Sequence, residues 1–274
     1  MAAQAPFSLS DDLALAQKMA DAADAITLKR YQSLDLVITT KPDNTPVTDA
    51  DKAAEVAIRE LLKEHRPDDG IVGEEFGEQA SALQQGSGRY WVIDPIDGTK
   101  NFLRGVPTWA TLIGLVERQS DGSEKVIVGV VSAPALYRRW YASDGMGAFV
   151  SENGKSPKRV SVSKISDISN ASISYSDFVG WGSRLVAFQT LLTKAWRTRG
   201  VGDFWSHILV AEGAVDSAIE PSLALWDMAA LDIIVREAGG RFTNTDGVDG
   251  PFGGSGVSSN GALHDAIIQE LNHG

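Results

Sequence analysis

Residues 91–102 read WVIDPIDGTKNF, with two aspartates, Asp94 and Asp97, at the end of an apolar run. Pro95 between them has no backbone donor and a fixed φ, so the strand is not expected to continue simply through it. Gly98 allows a tight turn, after which the amides of Gly98 and Thr99 can point outward and hold an anion. Two further acidic positions flank apolar segments: Glu74 in Gly73-Glu74-Glu75, after Ile71-Val72, and Asp227 in Leu225-Trp226-Asp227-Met228, before an alanine-containing helix. Each has an ordinary structural reading. Asp94 and Asp97 could cap turns or a short helix, Glu74 could be a solvated strand end, and Asp227 a plain N-cap. The joint pattern suggests more. Carboxylates brought to about 4 Å would repel by about 4 kcal/mol per pair at an effective dielectric near 20. A hard divalent cation such as Mg²⁺ relieves that repulsion and keeps coordination positions open for phosphate and water. Spacing alone does not bring the three segments together.

The elements that must position them follow from periodicity. Apolar residues at helical spacing predict helices over 11–31, with Ser10 as N-cap, and over 50–65, stopped by Pro67. Strands are predicted at 71–73, 90–93, 109–116, 126–132, 138–142 and 147–150, several separated by Asp-Gly turns. The later half alternates: strand 171–175, helix 184–194, strand 195–198, then helices 203–212, 227–238 and 262–271. The glycine-rich stretch 247–256 reads as a loop. This order predicts an α+β/α/β layered sandwich. Residues 1–150 are read as an N-terminal α+β lobe with most of the acidic positions, and 151–274 as a C-terminal α/β lobe with Asp227, the two forming one catalytic unit.

Composition narrows the partners. The chain has 25 basic against 36 acidic side chains, a formal net charge of −11. That balance argues against nucleic-acid binding and against anionic membranes. Without cysteine, disulfides and thiolate metal sites are excluded. The opening MAAQAPFSLSDDLALAQ lacks a basic segment followed by a long apolar one, so no signal peptide is expected. A soluble cytoplasmic protein is the default. The four histidines, His65, His207, His264 and His273, are read as surface or packing residues.

Gly73-Glu74-Glu75, Asp94-Pro95-Ile96-Asp97-Gly98-Thr99 with Asn101-Phe102, and Trp226-Asp227-x-Ala229-Ala230 with Glu237-Ala238-Gly239-Gly240, together with Lys41 and Val47-Thr48-x-x-Asp51, resemble the inositol-monophosphatase-like family of Mg²⁺-dependent phosphatases. The resemblance covers about residues 10–270. It implies alternating α-β-α-β-α layers, a small-molecule phosphomonoester substrate and a homodimer. It also implies two to three Mg²⁺ ions per site, with Mn²⁺ as a substitute. Glu74, Asp94 and the Ile96 carbonyl would hold one ion; Asp94, Asp97 and Asp227 would hold a second, and Glu74 would help a third. Phosphate would rest on the Gly98 and Thr99 amides. Thr99 and Asp51, with Glu74, would orient and activate water, and Lys41 borders the metals. Asp51 has a competing role, because Thr48-x-x-Asp51 is a helix-start capping pattern. Lys100 stands where many inositol phosphatases carry a second threonine and has no assigned role.

The organic half of the substrate is expected to meet Glu220, seven positions before Asp227, and the stretch Arg197–Trp205, where Asp203 replaces the small neutral residue expected of inositol phosphatases. Asp227 borders the same half. Two carboxylates near the leaving group suit a cation better than a neutral polyol. L-Histidinol phosphate carries an ammonium and a titratable imidazole. Longer strings, including Val106-Pro107-x-Trp109-Ala110-Thr111 and Arg199-Gly-x-Gly-Asp203-Phe204-Trp205, resemble the histidinol-phosphate phosphatase branch of the family. The expected reaction is therefore hydrolysis of L-histidinol phosphate, with inositol monophosphate or another polyol or sugar phosphate as the alternative.

Overall fold

The computed structural model describes residues 7–42, 44–78 and 88–273; the first six residues of the opening segment lie outside them. Helices α1 (Leu9–Arg30) and α2 (Asp49–His65) pack on one face of an eight-stranded sheet. The sheet is ordered β10-β9-β8-β7-β6-β5-β3-β4, from β3 (Gly70–Gly73), β4 (Gly77–Glu78), β5 (Arg89–Asp97), β6 (Ala110–Arg118), β7 (Glu124–Ala133), β8 (Arg138–Ser143), β9 (Gly147–Glu152) and β10 (Lys158–Arg159). Between this sheet and the next lie α5 (Asp203–Ala211) and α6 (Leu225–Glu237). The second sheet is ordered β12-β11-β13-β15-β14, from β11 (Ser172–Tyr175), β12 (Arg197–Gly200), β13 (Ser217–Glu220), β14 (Arg241–Thr243) and β15 (Gly256–Ser259). Its far face carries α4 (Leu185–Lys194) and α7 (His264–His273). The expected α-β-α-β-α layering is what the chain forms. A small hairpin, β1 (Ile38–Thr40) with β2 (Pro46–Thr48), precedes α2, and the short helix α3 (Thr99–Leu103) follows β5. Among the described residues no helix is long and apolar enough to cross a membrane.

Burial on both faces explains the continuous apolar run of β5. Side chains alternate along it: Trp91 and Ile93 enter the core under α1 and α2, while Tyr90 and Val92 enter the core under α6. Asp94 continues the second set and so faces the side on which α6 brings Asp227. The helix lies close to the sheet because the strands beneath it carry glycine: a Cβ at Gly129 would sit 2.5 Å from Ile233 Cγ2 and 2.7 Å from the Ala230 carbonyl. The parallel pairing of β3 with β5 sets Gly73 opposite Ile93. Glu74 therefore stands next to Asp94, its own N–H donating to the Ile93 carbonyl at 3.1 Å.

Several expectations need correcting. Helix α1 starts at Leu9 with Ser8 as its cap, not Ser10, because Ser8 and Asp11 close a reciprocal capping box. β5 does run through Pro95: the register shift between Asp94 and Asp97 accommodates the missing donor as a bulge, and the free Pro95 carbonyl accepts from Thr111 Oγ1 at 2.8 Å. The β1–β2 hairpin and strands β13, β14 and β15 were not foreseen. They are three or four residues long and give too few positions for a period to register.

Candidate active site

The carboxylates of Asp94, Asp97 and Asp227 converge, with one oxygen from each lying within 4.8 Å of the others. Each also has an oxygen tied to a backbone N–H. Asp94 accepts from Ile96 N at 2.9 Å, Asp97 from Phe204 N at 2.6 Å, and Asp227 from Ala224 N at 2.7 Å. Asp227 is thus not the N-cap of α6. It occupies N3 and reaches back to the capping position, a placement that fixes its side chain toward the sheet.

Burial and mutual repulsion push these acids up together. Asp94 and Asp97 are held well above the usual carboxylate range, first by burial, then by neighbouring acids: Glu74 and Asp97 for the former, Asp203 and Asp227 for the latter. Burial pushes Asp227 to about 7, with Glu74 and Asp203 adding to it. No arginine pairs with any of the three among the described residues. The nearby base is Lys41, whose Nζ lies 2.7 Å from both Glu74 Oε1 and Glu75 Oε1. Burial pulls the Lys41 ammonium down, but those two carboxylates outweigh it and raise it. Burial likewise lifts Glu75 to about 7.

Asp51 sits at N3 of α2, where its Oδ2 accepts from Thr48 N at 2.8 Å and Thr48 Oγ1 at 2.5 Å. The capping role is therefore real. Its Oδ1 is buried and has no hydrogen-bond partner. Burial, with the charge of Glu74, raises Asp51 to about 6. An orphaned carboxylate oxygen beside a crowded set of hard oxygen donors fits a site for a divalent cation and its water. Thr99, the first residue of α3, donates its hydroxyl to the Ile96 carbonyl at 3.0 Å. Gly98 precedes it with φ +81°, the left-handed turn that glycine takes without strain. Ile96, Phe102 and Trp109 pack beneath this turn as a separate apolar cluster, the two rings edge to face at 4.9 Å.

The residues expected to meet the organic half also gather here. Asp203 lies against the Gly98 turn: a Cβ at Gly98 would come within 3.2 Å of Asp203 Oδ2. Burial raises Asp203 to about 6, opposed by the charge of Lys100. Glu220 ends β13 and accepts from Ser176 Oγ at 2.7 Å, and burial raises it to about 7, with the charge of Asp203 contributing. Asp203 does not act as a helix cap, because Gly202 occupies that position.

Phe204 packs in the central core, as an apolar residue there should, yet its N–H is the group that restrains Asp97. Glu55 went unrecognised. Its buried carboxylate accepts from Glu75 N at 2.8 Å and Phe76 N at 3.3 Å, and pairs with Arg59 at 2.8 Å, holding the turn that carries Glu74. Its position four residues after Asp51, on the same helical face, was the available signal. His207 and His264 are buried packing residues, held down in pKa by burial.

The inositol monophosphatase family model matches residues 8–273. A histidinol-phosphatase of Mycobacterium tuberculosis is 54% identical over 266 residues, covering 96% of this chain and 99% of that protein. A histidinol-phosphatase of Streptomyces coelicolor is 54% identical over 264 residues, covering 96% and 97%. Among solved structures, the extragenic suppressor protein suhB of Bartonella henselae superposes with a TM-score of 0.84 at 27% identity, over 96% of this chain and 99% of that one.

Proposed function

The chain belongs to the inositol monophosphatase family, and from that premise we propose that it hydrolyses L-histidinol phosphate to L-histidinol and phosphate with the help of bound divalent cations. The observation that carries the reading is the adjacency of two different acid groups around the Gly98 turn. The convergent Asp94, Asp97 and Asp227 carboxylates suit a metal-assisted phosphomonoesterase. Asp203 and Glu220 beside them suit a cationic leaving group, in keeping with the names of the Mycobacterium and Streptomyces relatives.

Glu74, Asp94 and the Ile96 carbonyl would hold one ion, and Asp94, Asp97 and Asp227 a second, with Glu74 reaching toward a third. Mg²⁺ suits these hard oxygen donors, and Mn²⁺ would substitute. Such ions, when bound, acidify water and neutralise charge on a phosphoryl group. The protein's own groups supply the rest. The Gly98 and Thr99 amides receive phosphate oxygens. The Thr99 hydroxyl, fixed on the Ile96 carbonyl, orients the water, and Asp51 Oδ1, raised toward neutrality, takes its proton, with Glu74 alongside. Lys41 balances part of the negative charge as the anionic ester enters. Asp203, Glu220 and Asp227 face the L-histidinol half. Family habit adds the expectation of a homodimer, and the cytoplasm is the expected location.

The test is phosphate release from L-histidinol phosphate and from inositol 1-phosphate, side by side, with Mg²⁺ and with chelator. A preference for the cationic ester of at least about a hundredfold is expected, rising toward about ten-thousandfold if the neutral ester leaves both carboxylates unpaired, and chelator should stop the reaction. Equal turnover of both esters overturns the substrate assignment, and chelator-insensitive turnover overturns the metal requirement.

A further inference from the structure

Asp203 opens α5 with φ +50°, a left-handed conformation uncommon for residues with a side chain, though Asp and Asn take it more readily than most. Two contacts hold it here. Phe204 N, one residue on, donates to Asp97 Oδ2 at 2.6 Å, and Asp203 Oδ2 accepts from Asn101 Nδ2 at 2.9 Å. The same Asn101 nitrogen donates to the Thr108 carbonyl at 2.9 Å. Both neighbours are acceptors, so the amide must turn its nitrogen toward them. The space is filled to the limit. A Cβ at Gly98 would sit 3.0 Å from the Thr108 oxygen and 3.2 Å from Asp203 Oδ2.

We infer that Asn101 is a positioning residue for recognition of the cation: its amide fixes one oxygen of Asp203 and leaves Oδ1 to receive the substrate's ammonium group. The inference rests on the reading of Asp203 as that ammonium's partner. The Thr108 contact belongs to the turn itself, whereas the Asp203 contact bridges 102 residues of sequence and links α3 to the first turn of α5. Without it, Asp203 loses the amide donor set against the repulsion of Asp97, and its side chain is no longer held beside the Gly98 turn. The amide donates a charge-assisted hydrogen bond to a half-buried carboxylate, the kind that orients as well as stabilises.

The experiment compares kcat/KM for L-histidinol phosphate with kcat/KM for 4-nitrophenyl phosphate, an ester with no cation, in one buffer with Mg²⁺. Asn101→Ala should lower the ratio of the two by about tenfold, the scale of one hydrogen bond to a charged group. Most of the change should fall in KM for L-histidinol phosphate. Asn101→Asp, which keeps the side-chain volume but sets a second carboxylate against Asp203, should lower the ratio further, so a cavity left by alanine is not the cause. Asp203→Asn reads the premise, because Asn tolerates the left-handed backbone and removes the charge. If Asp203→Asn leaves the ratio unchanged, the substrate reading has failed. If it lowers the ratio, Asn101→Ala added to it should change the ratio by less than about twofold, since coupled residues are not additive. An equal loss on both esters, an unchanged ratio in both Asn101 variants, or a full tenfold loss on top of Asp203→Asn overturns the positioning role.

Discussion

The two ends of β5 hold buried acid in opposite ways. At the first end, Asp12 pairs with Arg66 at 3.0 Å and Arg89 at 2.7 Å, and Asp69 accepts from Trp91 Nε1 at 3.0 Å while standing 3.8 Å from Arg89. Each acid there has a fixed cation or donor, and the result ties α1, the end of α2 and β5 together. At the other end, eight residues along the strand, Asp94 and Asp97 meet Asp227 and Glu74 with no arginine among the described residues. A buried charge left without a partner is strongly destabilising, so the chain has either to keep these acids protonated or to recruit a cation from solution. The comparison separates a structural ion network from a binding site by one criterion, whether the compensating charge belongs to the protein.

The largest effect should come from the second end. Asp97→Asn should lower phosphate release at saturating Mg²⁺ by about a thousandfold or more, because it removes a proposed ligand and part of the electrostatic stabilisation supplied there. It should leave the melting temperature at pH 8 equal or higher, since it also removes repulsion. The converse change is Asp12→Asn. Breaking the buried pairs on one side leaves Arg66 without its carboxylate and Arg89 with only Asp69 at 3.8 Å, which should cost about 3 kcal/mol of stability by denaturant unfolding while kcat stays within about twofold of wild type. If Asp12→Asn were as damaging to turnover as to stability, the two ends would not be separable.

How legible this was in the sequence depends on which interaction does the placing. The acids of the second end stood out because Asp94, Asp97, Glu74 and Asp227 each follow or precede an apolar run. The strands and helices of the first half were readable because long amphipathic or fully apolar segments carry their own period. The convergence was not readable by spacing. It depends on the parallel register of Gly73 with Ile93 and on Gly129 letting α6 lie close to the sheet, both long-range facts. The first end was missed entirely, since Asp12, Arg66, Asp69 and Arg89 are scattered singles with no motif. Likewise Glu55 looked like one more charge on an amphipathic helix, and the bulge at Pro95 looked like a strand end, because local rules describe the residue and not the partner that rescues it.

A third prediction uses pH to tell the ends apart. Asp227 and Glu220 are each raised to about 7 and Asp94 and Asp97 are raised well above the carboxylate range, all chiefly by burial. In the unfolded chain these acids ionise near pH 4. Between about pH 4 and 7 the folded state therefore holds more protons than the unfolded one, and stability falls as pH rises through that window. Metal-free protein should therefore lose stability and melt at a lower temperature as pH rises from about 6.5 to 8, above the range in which the depressed His207 and His264 act in the opposite sense. Saturating Mg²⁺ should restore that loss at pH 8 and do much less at pH 5. A metal-free melting temperature that is flat or rises over the same range would mean that the second end is compensated from within the protein, as the first is.

The smallest effect concerns Lys41, which begins to compensate the second end. Lys41 Nζ lies 2.7 Å from Glu74 and from Glu75, so it already neutralises part of the charge a cation would otherwise meet. Its ammonium competes with a metal for Glu74, yet also draws in the anionic ester. Lys41→Met keeps the length of the side chain and removes the charge. Half-saturation by Mg²⁺ should then fall to about a third of the wild-type concentration, the scale of one partly exposed ion pair, while KM for the ester rises by a similar factor. Both are read from one two-dimensional titration of phosphate release. The opposite shift, a higher Mg²⁺ requirement, would show that Lys41 acts by holding Glu74 in place. In that case even the second end of β5 would depend on a cation the chain supplies itself, and the contrast between the two ends would be one of degree.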